Sequence, residues 1–283
     1  IKNNKLMDIR NYLTQLAKTS FFKSEKPTPY NEAVSLIWYL ENVFYHSFGN
    51  TYNYIQENIF NNKDFNNNLM SIGFWPGGDR DGNPFVTPEI TLQVAQRLKH
   101  TIVKNYYRDI RELKRRLTFK GLEDKLTLIQ QKLHHDIFIN SDNHNFSSEK
   151  LIEDLSEIKE LIIKEHQSLY LNLVVSLINK VKLFGSYFAS MDIRQDSRVH
   201  NNVFNELVKS SIENKLDFFP ENYFDFSEDE QIQVLSNING NISLSYFSDE
   251  LVLNTLNTIK VIKKIQTNNG EKAANRYIIS NNK

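Results

Sequence analysis

The most informative stretch follows a short apolar run and places three charged residues among glycines: Gly77-Gly78-Asp79-Arg80-Asp81-Gly82-Asn83-Pro84. Glycines permit tight turns and let a ligand approach the backbone closely. The guanidinium of Arg80 can bind a phosphate or a carboxylate through two parallel hydrogen bonds. Alternatively, the loop is a structural turn in which Arg80 pairs with Asp79, Asp81 or another acid. It is not a P-loop, because no Gly-Lys-Ser/Thr follows.

The sequence around this loop predicts a mainly α fold with a few parallel strands. Short strands are expected at 71–75, 183–193 and 274–280. The intervening segments have helical periodicity, and the helix after the loop begins at Thr87-Pro88, a favoured cap followed by a proline at the first helical position. Strands separated by helices indicate parallel pairing in a barrel or an open α/β sheet, and three strands cannot close a barrel.

A second charged motif, Asp192-Ile193-Arg194-Gln195-Asp196-Ser197, ends the second predicted strand. Alternate residues of a strand share a face, so Asp192, Arg194 and Asp196 are expected to point one way. An arginine between two acids is either part of a buried structural network or an anion-binding group that the carboxylates orient. In a barrel, side chains at the carboxyl ends of strands face the active site, which favours the second interpretation.

Composition excludes several classes of function. Among the 283 residues, Lys+Arg and Asp+Glu both number 34, so no excess charge indicates a nucleic acid or an anionic membrane as partner. There is no cysteine, which rules out disulfides and thiolate metal sites and fits a cytoplasmic location. No apolar stretch reaches about 18 residues, so no membrane span is expected.

Residues 74–87 and 192–197 resemble two motifs of the phosphoenolpyruvate carboxylase family, usually written WxGGDRDGNPxVT and DIRQES. Asp196 stands where that family usually has Glu. Two weaker matches, at 26–33 and 273–280, occur in the same order as in the family.

The resemblance implies an eight-stranded α/β barrel surrounded by helices, of which this chain supplies a part. It implies an enzyme that forms oxaloacetate and phosphate from phosphoenolpyruvate and bicarbonate, requires Mg²⁺ or Mn²⁺, and assembles as a homotetramer. Arg194 and Arg80 are then the expected catalytic residues. The expected substrate-binding residues are Arg194, Asp79, Asp81 and Asp192.

The resemblance also predicts how the chain is organised. Residues 1–283 are expected to form one segment of the catalytic domain, with 1–70 helical and 71–283 forming about strands two to four with helical insertions. The family's histidine motif would precede this segment. Its metal-holding Glu and Asp and its glycine-rich loop would follow, so no metal ligand is expected here and the isolated chain is predicted to be inactive. The alternative is a non-catalytic helical module that binds an anionic effector or a partner subunit.

Overall fold

The computed structural model describes residues 2–19, 27–61, 63, 69–81, 83–139 and 146–281. Most of these residues are helical. The helices are α1 (Lys2–Lys18), α2 (Pro29–Tyr39), α3 (Tyr45–Asn58), α4 (Pro88–Arg116), α5 (Glu123–Phe138), α6 (Ser148–Glu165), α7 (Leu171–Phe184), α8 (Ser197–Glu213), α9 (Glu228–Asn237) and α10 (Glu250–Asn269). A π-helical turn, Leu40–Phe44, joins α2 to α3. The strands are β1 (Gly73–Phe74), β2 (Ser190–Asp196) and β3 (Arg276–Ser280).

Helix ends follow the local sequence. The side chain of Thr87 accepts a hydrogen bond from the Ile90 amide, and Pro88 occupies the first turn of α4, as predicted. Helix α10 ends at Asn269, and its C-cap is Gly270, whose φ of 95° is a conformation that suits glycine. These two ends matter for the site, because α4 begins after the glycine loop and α10 precedes β3.

The 29-residue helix α4 is the centre of the core. It packs against α2, α5, α7 and α10. Ile102 and Tyr106 of α4 are fully buried, and the Tyr106 hydroxyl donates to the Gly185 carbonyl over 2.8 Å. The phenolic oxygen is therefore satisfied inside an apolar core.

The three strands form a parallel sheet in the order β1-β2-β3. Gly73 pairs with Ser190 on one side of β2, and Arg194 pairs with Ile278 on the other. The prediction of a mainly helical chain with a few parallel strands is confirmed. No described helix has the length and apolarity needed to cross a bilayer.

The predicted second strand began too early. The segment 183–193 was expected to be extended, yet α7 continues to Phe184, and β2 begins only at Ser190. Gly185, with φ of 54°, ends the helix, and residues 185–189 turn before the strand. The aromatic side chains Phe184 and Phe188 pack edge to face in the core, so their β propensity was overridden by tertiary packing.

Candidate functional site

The glycine loop lies alongside the end of β2 and joins the two charged motifs. Asp79 forms a parallel bridge with Arg194. The Arg194 amide donates to the Gly78 carbonyl over 2.9 Å, and the Arg80 amide donates to the Arg194 carbonyl over 3.3 Å. The loop thus continues the β1–β2 pairing beyond the end of β1. Two motifs that are far apart in the sequence meet at the carboxyl half of one strand.

Gly78 allows this close approach. A Cβ atom at this position would lie 2.4 Å from the Asp192 carbonyl oxygen, a contact that no side chain tolerates. The loop is also tied to α4, because the buried Thr91 hydroxyl donates to the Gly77 carbonyl over 2.6 Å. The glycines therefore serve backbone packing at this point.

One face of the sheet carries two ion pairs and is partly open to solvent; we call it the open face. An Arg194 guanidinium nitrogen lies 3.7 Å from an Asp79 carboxylate oxygen, and both side chains are more than a third exposed. Two residues earlier on β2, Asp192 accepts a hydrogen bond from Arg276 of β3 over 3.2 Å. The predicted residues Asp79, Asp192 and Arg194 are thus brought together on this face.

Asp196 has a different role from the one that simple strand alternation predicts. It ends β2 and caps α8 by accepting a hydrogen bond from the Arg198 amide over 2.8 Å. Its carboxylate also accepts bonds from the Arg198 side chain and from Asn281. The Arg198 side chain, followed by Asn281, holds the pKa of Asp196 well below its ordinary value. Asp196 is therefore engaged with α8 and the end of β3, and not with Arg194.

Arg80 lies on the opposite face of the sheet, where α8 packs against β2 and Asn254 of α10 contacts Arg80; we call it the covered face. Its guanidinium donates to the backbone carbonyl of Asn254 over 3.4 Å and to the Asn254 side-chain oxygen. Arg80 is 9% exposed, and burial lowers its pKa, with Tyr277 and Glu89 acting in the opposite direction. The structure therefore separates Arg80 from Arg194, although their backbones are hydrogen-bonded.

Asp81 is exposed, and its amide donates weakly to the Asp79 carboxylate over 3.4 Å. Gly82 lies outside the described residues. Two partners of the site residues, Asn254 and Arg276, could not be named from the two motifs. Arg276 lies inside the predicted strand 274–280 and begins β3, so a charged residue on that strand could have indicated it. Nothing local marks Asn254, which lies on an ordinary amphipathic helix.

The described residues do not fit a divalent metal ion. In that part of the chain, no group of three or more His, Asp or Glu side chains is arranged as a metal site. The acids of the site are engaged by arginines, since Asp79 faces Arg194 and Asp192 faces Arg276. Hard divalent ions need several free oxygen ligands, which this arrangement does not provide.

Comparison with known proteins assigns the family. The model of the phosphoenolpyruvate carboxylase family matches residues 2–135 and 116–283. The chain belongs to the phosphoenolpyruvate carboxylase family. Its similarity to a phosphoenolpyruvate carboxylase of Shewanella oneidensis is 26% identity over 322 aligned positions, which cover 99% of this chain and 36% of the relative.

Two further relatives give the same picture. A phosphoenolpyruvate carboxylase of Shewanella sediminis is 27% identical over 240 positions, covering 74% of this chain and 27% of the relative. One from Rhodothermus marinus is 23% identical over 266 positions, covering 76% of this chain and 28% of the relative. The chain therefore spans between 27% and 36% of the length of these phosphoenolpyruvate carboxylases.

Proposed function

We propose that this chain is the part of a phosphoenolpyruvate carboxylase that binds the phosphate of phosphoenolpyruvate, with Arg194 as its main contact. The observation that carries the proposal is the bridge between Asp79 and Arg194, which joins the glycine loop to the end of β2. Carboxyl ends of parallel strands are where α/β enzymes bind their substrates. The family membership supplies the reaction class.

The geometry of Arg194 supports phosphate binding. Its side chain is 40% exposed on the open face, and the 3.7 Å separation from Asp79 is too long for a hydrogen bond. Its Nε is buried without a hydrogen-bond partner. The guanidinium therefore has donors to spare, held near a carboxylate that orients it, and a phosphate can accept two of them in parallel.

The remaining assignments extend this proposal. Arg80 is a further catalytic residue that acts from the covered face, and Asp79, Asp81 and Asp192 line the substrate site. In the proposed reaction, the phosphoryl group passes from phosphoenolpyruvate to bicarbonate. The enolate left behind is then carboxylated to oxaloacetate, with release of phosphate. In this reaction, the chain binds the phosphate oxygens of the substrate and orients the side chains that contact them.

We also propose the larger context. Residues 1–283 form one segment of the catalytic domain, in which 1–70 are helical and 71–283 contribute three parallel strands of a barrel. The complete enzyme is a cytoplasmic homotetramer and uses Mg²⁺ or Mn²⁺, held by residues other than those described here. Because the described residues bring no metal-ligand cluster together, the chain by itself is expected not to form oxaloacetate.

The test is an assay of oxaloacetate formation by the complete protein that carries this chain, with phosphoenolpyruvate, bicarbonate and Mg²⁺. We expect activity that falls by on the order of 10³-fold in kcat/KM in Arg194→Ala, because a charged contact to the reacting phosphate is lost. Arg115→Ala, which removes an exposed arginine of α4 far along the helix, is the control and should retain activity. An active complete protein in which both variants behave alike would remove Arg194 from the mechanism.

A second candidate function is a non-catalytic module that binds an anion or a partner subunit. One observation favours it: apolar side chains are exposed on α1 and around the π-helical turn. These are Leu6, Met7, Ile9, Leu13, Leu16, Trp38, Tyr39, Val43 and Phe44. Apolar surface of this kind is typical of protein interfaces. Absence of oxaloacetate formation by the complete protein, together with retained phosphate binding, would favour this candidate.

A further inference from the structure

Arg80 is a buried cation held by a neutral partner. Its side chain has two hydrogen-bond contacts, both to oxygens of Asn254 on α10. Within the described part of the chain, its guanidinium forms no ion pair with a carboxylate, and its Nε is buried without an acceptor. A buried charge is normally neutralised by a counter-ion, and a buried N–H is normally hydrogen-bonded. Both rules are broken at one side chain.

Two other arginines next to this sheet, Arg276 and Arg198, behave differently. Arg276 pairs with Asp192, and Arg198 pairs with Asp196 through two hydrogen bonds. Those carboxylates fix the arginines and also cancel their charge. Asn254 makes contacts of the same kind with Arg80 but adds no charge, so the orientation of the guanidinium is fixed while its positive charge is preserved.

The charge of Arg80 shifts the pKa of two neighbours, His200 and Tyr277. The pKa of His200 is lowered, first by burial and then by Arg80. The His200 ring packs edge to face on Tyr277, whose pKa burial raises while Arg80 lowers it. The Nε2 atom of His200 is also buried without a hydrogen-bond partner. Two polar side chains, His200 and Tyr277, therefore lie close to Arg80, and Glu89 acts on its charge without forming an ion pair with it.

We propose that Asn254 is a positioning residue that orients the guanidinium of Arg80 without neutralising it, so that the charge remains available to an oxyanion of the substrate. This inference rests on the proposed function, and it assigns a role to a residue outside both sequence motifs. The position of Arg80 also matters for Arg194, since the Arg80 amide donates to the Arg194 carbonyl. Fixing Arg80 from α10 therefore also fixes the position of the loop where it meets the open face.

The decisive variant is Asn254→Asp, which keeps the shape and the acceptor but adds a carboxylate. A merely structural contact would be strengthened by it, with no loss of anion binding. The proposal expects the melting temperature to stay the same or rise, because a buried cation gains a counter-ion. It also expects the affinity of the 283-residue chain for inorganic phosphate, measured by calorimetry, to fall by about tenfold. In the complete protein, KM for phosphoenolpyruvate should rise in the same way.

Asn257→Asp is the matched control, since it adds the same charge one turn further along α10, where Asn257 has no hydrogen bond to Arg80. It should leave phosphate affinity and KM unchanged. If Asn254→Asp does not fold, Asn254→Ser replaces it. That variant removes the side-chain contact and should also raise KM, and restoring Asn should rescue it.

The outcomes separate the two proposals. A complete protein without oxaloacetate formation would refute the proposed function, and phosphate binding by the chain would then decide the role of Asn254 alone. The inference is overturned if Asn254→Asp leaves phosphate affinity and KM at their original values. It is equally overturned if the unsubstituted chain does not bind phosphate at all.

Discussion

The two faces of the small sheet place arginines in opposite environments. On the open face, Arg194 and Arg276 are partly exposed and lie beside Asp79 and Asp192. On the covered face, Arg80 is buried, and its contacts are to the amide side chain and the backbone carbonyl of Asn254. Water screens the charges of the open face, so their pairs contribute little to stability. The covered face has no such screening, and there the uncompensated charge is costly.

The two arginines therefore affect the free energy of unfolding differently: Arg194 has little effect on it, whereas burial of Arg80 lowers it. An exposed pair such as Arg194–Asp79 can be kept or lost with small changes in the free energy of unfolding. A buried cation with a neutral partner persists only when something offsets its desolvation, either tight backbone packing or a bound anion. Gly78→Ala disturbs the backbone link between the faces, Lys99→Met disturbs the edge of the covered face, and Arg80→Met removes its central cation.

The largest effect is expected for Gly78→Ala, which should break the backbone link between the faces. The added Cβ would lie 2.4 Å from the Asp192 carbonyl oxygen and 3.1 Å from its carbonyl carbon, and backbone atoms cannot move aside cheaply. We expect a loss of about 3 kcal/mol in the free energy of unfolding, measured by urea denaturation.

Gly121→Ala is the control for Gly78→Ala. Gly121 has a positive φ of 86° but no atom within 4 Å of an added Cβ. It should cost only about 1 kcal/mol, from backbone strain alone. Equal losses in the two variants would show that the close approach of the loop to β2 does not hold the faces together.

The backbone link between the loop and β2 joins features of which only some could be predicted from the sequence. The two motifs and the parallel strands could be predicted, because glycine-framed charge and helix-separated apolar runs are local patterns. The end of β3 was placed correctly at Ser280. The start of β2 was not, since Phe184 and Phe188 have strand-like side chains but pack in the helical core.

The faces on which Asp196 and Arg80 lie could not be predicted. Alternation along a strand is a sound rule, but it stops where the strand stops, and Asp196 turned out to cap α8. Arg80 sits in a loop with no period to follow. Its partner Asn254 is 174 residues away in the sequence. Hydrophobic periodicity predicts the helix that carries Asn254, but it does not predict where that helix packs. Only tertiary packing decides such contacts.

An intermediate effect is expected at Lys99, where α4 supports the end of α10. The buried Lys99 ammonium donates to the Asn268 carbonyl, and the Asn269 side chain donates to the Ala95 carbonyl over 3.1 Å. Burial lowers the pKa of Lys99 to about 8, while Asp136 acts in the opposite direction. The folded state therefore releases this proton at a lower pH than the unfolded chain does.

The lowered pKa of Lys99 sets the sign of the pH dependence of the free energy of unfolding. Between pH 8 and the ordinary lysine pKa of 10.5, the unfolded chain binds more protons at this site, so stability rises with pH. Relative to Lys99→Met, the unsubstituted chain should gain about 2 kcal/mol in unfolding free energy from pH 7 to pH 10. Lys164→Met, which removes an exposed lysine of α6, is the control for the loss of one lysine side chain. A slope of the opposite sign would mean that the folded protein stabilises the charged form of Lys99.

The smallest effect, and the one that tests the comparison most directly, is expected for Arg80→Met. Replacing a buried charge that lacks a carboxylate with an apolar side chain of similar length removes its desolvation cost, while Asn254 is exposed enough to bond to water. We expect the free energy of unfolding to rise by about 1 kcal/mol, together with weaker binding of inorganic phosphate. Arg194→Met, on the open face, should weaken phosphate binding with almost no change in stability. A destabilised Arg80→Met would mean that Asn254 fully compensates the cation, and the two faces would then differ only in exposure.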